Sequence, residues 1–178
     1  MTIGYVGGWT SKAGLLIREG GTSGSKPVPQ NVKVKQMLAL VGNDPLALNT
    51  AKMNEQKLYK NFKGFDPETV TVKQLGNISA FLRDRGLISD VTALTLLNAG
   101  DKFDRFGVPK NLDEKFNALE YFATQLDTIQ NNNLKGNKYA NHLIPEYKKA
   151  IYVLQNLKTY GMGNGPAVPN TKGVSGKA

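Results

Sequence analysis

The stretch NLDEKFNALEYFATQLDTI, Asn111 to Ile129, decides the reading of the fold. Asn111, Leu112, Asp113 and Glu114 have the form of a capping box, in which a side chain before the helix and an acid three residues on satisfy each other's free backbone N–H groups. Leu112, Phe116, Leu119, Phe122, Leu126 and Ile129 follow in steps of three and four, which puts all six on one helical face. The pattern predicts a helix from Leu112 with one buried side, and therefore a helical core.

The same punctuation extends on both sides. Upstream, Thr71 to Gln74 is a second capping box, followed by Val72, Leu75, Ile78 and Leu82, with Phe81 beside them. Gly86 is placed for a left-handed helix end, and Ser89 caps a further helix that carries Val91, Leu94 and Leu97 and ends at Gly100. Asp101 to Lys110 reads as a loop. Asp44 and Pro45 open a helix that runs to Lys63 and stops at Gly64, with Leu48, Ala51, Leu58, Tyr59 and Phe62 inward. Val32 to Val41 reads as a short helix or strand ending at Gly42. Downstream, Gln130 to Asn137 is a break. A last helix runs from Pro145 to Tyr160, with Tyr147, Ile151, Leu154 and Leu157 inward and a further turn of helix before Pro145.

Glycine gathers at the ends. Seven of the 19 glycines lie within Gly4 to Gly24 and five from Gly161 onward. Glycine loses the most backbone freedom on ordering. The division is therefore a Gly-rich extended arm over 1–30, a helical domain over 31–160 and a flexible Gly/Pro tail over 161–178. The fold class is mostly α, a compact bundle of about five helices, with a short strand pair open to the arm. In that arm Tyr5, Trp9, Leu15 and Ile17 stand out as candidate interface residues, since tryptophan and tyrosine anchor protein contacts. Packing of the arm on its own domain explains them as well.

The net charge is +9, from 23 basic and 14 acidic residues. Residues 1–66 carry +5, residues 67–130 carry −2 and residues 131–178 carry +6. Basic outer parts thus flank a slightly acidic middle. This layout disfavours DNA reading by the helix–Gly86–helix unit. Its second helix opens on Asp90 and has no Lys or Arg before Lys102, whereas phosphate contacts dominate such binding. Lys52, Lys57, Lys60 and Lys63, near Tyr59 and Phe62, and Lys148, Lys149 and Lys158 are the candidate anion contacts. A solvated lysine face accounts for them equally, and only four arginines are present.

Several chemistries fail on residue type or spacing. Without cysteine there is no disulfide, thiol nucleophile or cysteine-bound metal. His142 is the single histidine, so a histidine cluster cannot form. Around Gly107 a calcium loop would place Lys102 on the first ligand position. The glycines of Gly21 to Lys26 lead into Pro27, and Gly161, Gly163 and Gly165 follow a helix instead of a strand, so neither stretch makes a phosphate-binding loop. Asp101 with Asp104, and Asp113 with Glu114, are the nearest carboxylate pairs; neighbouring cations and a helix start explain them.

No cofactor or metal is expected from these residues, and no enzymatic role. The chain reads as a non-enzymatic interaction or assembly protein with a protein partner, including copies of itself. A nucleic-acid-associated role through the lysine faces is the alternative. No apolar run reaches the roughly 18 residues of a membrane span. The default compartment is the cytoplasm, with export by a route that leaves no cleavable leader kept open.

Overall fold

A computed structural model describes residues 30–100, 102–103, 108–131 and 134–163. These residues fold into a mostly helical assembly around α8, the last helix. In chain order the elements begin with α1 (Gln30–Val41), a 3-10 turn (Pro45–Ala47), α2 (Thr50–Glu55) and α3 (Tyr59–Phe62). Strand β1 (Val70–Thr71), α4 (Val72–Asp84) and α5 (Asp90–Leu97) follow, then β2 (Lys102–Phe103), β3 (Pro109–Lys110) and β4 (Lys115–Phe116). The chain closes on α6 (Ala118–Asn131), α7 (Lys138–Asn141) and α8 (Ile144–Gly161). The strands form two antiparallel pairs, β1 with β4 and β2 with β3. Residues 1–29 of the candidate arm lie outside the described residues, and Gln30 opens α1.

The spine is α8. Its Ile151, Leu154 and Leu157 are fully buried, and it packs on α3, α5, α6 and the 3-10 turn. An inward step of three repeated along 18 residues makes it the natural centre of the bundle. On one side α6 presents Leu119, Phe122, Leu126 and Ile129, as its periodicity requires. Phe122 lies 5.7 Å from the Tyr147 ring and 5.2 Å from Tyr121. The loop before the 3-10 turn is tied to α8 by polar groups. Buried Asn156 donates to the Asp44 carbonyl at 2.7 Å and accepts from the Asn43 amide at 3.0 Å. The Tyr152 hydroxyl donates to the Val41 carbonyl at 3.0 Å.

Three expected elements differ. The helix expected over Asp44–Lys63 is broken into a 3-10 turn and two short helices. Asp44 does cap, but only the 3-10 turn; Asn49 caps again at the Lys52 N–H. Lys57 then adopts a positive φ of 55°, which no continuous right-handed helix accepts.

The helix expected from Leu112 begins instead at Ala118. Asn111 takes a positive φ of 57°, and Asn111–Glu114 closes a turn that brings Lys115 and Phe116 against Val70 and Thr71. Strand pairing wins over the cap, and Asn117 serves as the cap by accepting from the Glu120 N–H. Inside the expected loop Asp101–Lys110, Lys102 and Phe103 pair with Lys110 and Pro109.

In α5 the apolar side chains divide between two faces. Val91, Leu94 and Leu97 are exposed, while Thr92, Ala93 and Leu96 are buried. The inner side packs on α4 and α8, and the Thr92 hydroxyl shares a hydrogen bond with the Ser89 hydroxyl at 2.9 Å.

Two glycines sit where a side chain does not fit. A methyl group on Gly161 would lie 2.3 Å from the Phe62 carbonyl oxygen. The Gly161 carbonyl in turn accepts from the Gly64 N–H at 3.2 Å, so α8 ends in direct backbone contact with the end of α3. Gly100 combines a φ of +75° with the Phe116 ring 2.8 Å from its missing Cβ.

Candidate interaction surfaces

The first surface is basic. Lys57, Lys60 and Lys63 are exposed around α2 and α3, and Lys52 reaches toward Gly86 at the end of α4. Arg85, which the sequence did not single out, joins them from α4. Its guanidinium donates to Gln56 Oε1 at 3.2 Å and lies 4.4 Å above the Phe81 ring. The fold therefore brings Lys52 and Arg85 together where the end of α4 meets α2, with Lys57 next to Gln56 in the chain. The aromatics beside them do not form a stacking platform. Phe62 is buried edge-on to Phe81, and Tyr59 is only half-exposed, edge-on to Tyr160.

The lysines of α8 do not join into one patch. Lys148 and Lys149 lie near its start, and Lys158 near its end, roughly 15 Å along the axis. Lys149 pairs with Glu146 at 3.0 Å. Lys158 is held by two carboxylates, Glu68 at 2.8 Å and Asp66 at 3.2 Å. Hydrogen bonding to Glu68 is the main cause that raises the Lys158 ammonium above its usual value, against a partial burial that acts the other way. For Asp66, burial alone would raise the carboxyl. The Glu68 N–H, the Lys158 ammonium and the Thr69 hydroxyl together outweigh it and hold the group below the ordinary carboxylate range. Lys158 is thus a structural tie between α8 and the turn before β1.

The second surface is apolar, and the sequence did not mark it as a surface. Val91, Leu94 and Leu97 are 55%, 57% and 45% exposed along α5. Leu97 leans on α4, its Cδ1 lying 3.2 Å from where a Gly76 Cβ would stand. The signal was present in the sequence. The helix is apolar nearly all round, DVTALTLL, so no single face is marked as inner. Leu40 and Leu46 are exposed more fully, on either side of the loop that Asn156 holds.

The remaining chemistry is sparse among the described residues. They hold no group of three or more His, Asp or Glu placed for a metal ion. His142 is exposed at the end of α7, and Asp113 and Glu114 are exposed on the turn before β4. Asp101 and Asp104 lie outside the described residues, as do Tyr5, Trp9, Leu15 and Ile17. A shallow groove between α1 and α6, lined by Lys33, Val34, Met37, Ala123, Thr124, Asp127 and Thr128, encloses about 280 Å³ including open solvent. No helix among the described residues is long and apolar enough to cross a membrane.

Comparison with family models, with curated proteins and with solved structures returned no match.

Proposed function

We propose that this chain is a non-enzymatic assembly subunit that associates with copies of itself, with the arm over 1–30 and Tyr5, Trp9, Leu15 and Ile17 as contact residues. The observation that carries the reading is the outward apolar stripe of α5. Three large side chains in a row at helical spacing are costly to leave in water, and contiguous exposed apolar surface marks contact sites more often than scattered single residues do. The charge layout supports the same reading, since basic flanks and an acidic middle are complementary between neighbouring copies.

Size-exclusion chromatography with light scattering tests it. Mass should rise with protein concentration at low salt, and removal of residues 1–30 should shift the distribution to smaller species. A chain that stays monomeric at high concentration and low salt overturns the reading.

A second reading, polyanion binding, is favoured by one observation: Lys57, Lys60 and Lys63 are exposed, and Arg85 reaches Gln56, the residue before Lys57. Retention of a generic nucleic-acid probe at low salt, falling steeply as salt rises, is its signature. Absence of retention at low salt removes it.

A further inference from the structure

We draw no further inference here: the strongest candidate, the shallow groove between α1 and α6 floored by Val34, Met37 and Ala123, is an unpartnered apolar face, and nothing among the described residues shows what covers it.

Discussion

At the scale of single residues, the tightest constraint is Gly161. No left-handed backbone is involved. The difficulty is the Phe62 carbonyl, a rigid group that cannot swing aside as the end of a flexible side chain can. Gly161→Ala should cost about 2 kcal/mol, within the range of overpacking changes, seen as a lower midpoint in urea unfolding. Gly42→Ala makes the useful comparison. Gly42 has φ +71° and nothing near its missing Cβ, so only the left-handed penalty of about 1 kcal/mol applies.

Tyr160 gives the opposite sign. Its ring is buried against Tyr59, but its hydroxyl has no hydrogen-bond partner among the described residues, and burial raises its ionisation above the usual phenol range. Tyr160→Phe removes an unsatisfied polar atom and keeps the ring, so stability should hold or rise by up to about 1 kcal/mol in the same denaturation experiment.

At the scale of elements, the Thr71 cap is the clearest case of sequence dictating structure. The Thr71 hydroxyl accepts from the Gln74 N–H at 3.1 Å, and the Gln74 side chain accepts from the Thr71 N–H at 3.0 Å. Thr71→Ala should cost about 1 kcal/mol of unfolding free energy.

Four helix signals were legible for the same local reason. The Thr71 box, Gly86 at φ +63°, the Ser89 cap and the inward set of α8 each depend on residues within one or two turns. The unreadable features were non-local. Asn111 to Glu114 spells a cap, yet pairing of Lys115 and Phe116 with Thr71 and Val70, some 45 residues earlier, claims the segment for a turn and strand. In α5 the choice between two apolar faces depended on packing against α4 and α8, and Thr92, Ala93 and Leu96 went inside. Of the candidate surfaces, the lysines of α2 and α3 were legible as a cluster. Arg85 was not, because a different helix supplies it. Lys158 looked free in the sequence because its acids lie 90 and 92 residues away in the chain.

At the scale of the whole molecule, the tie of Lys158 to Asp66 and Glu68 links stability to pH in both directions. The Asp66 carboxyl is depressed in the folded state. Its contribution is present above the ordinary Asp value of about 4 and is lost as pH falls through the lower folded value. The Lys158 ammonium is raised. Its contribution is present below the ordinary Lys value of about 10.4 and is lost as pH rises through the higher folded value. Lys158→Met should lower stability near neutrality by no more than about 1 kcal/mol, since the carboxylates are well exposed. It should also flatten both the acid and the alkaline limbs of a melting-temperature profile. A variant whose acid limb matches the parent would show that other groups govern acid unfolding.

Among the described residues the core is built from phenylalanine, tyrosine, methionine and aliphatic side chains; the one tryptophan of the chain, Trp9, belongs to the candidate arm, outside the described residues. Indole emission is thus a reporter placed by the sequence itself on the segment proposed to make contact, while tyrosine absorbance and helical dichroism follow the bundle. Docking of the one and melting of the other can be watched in a single cuvette without adding a dye.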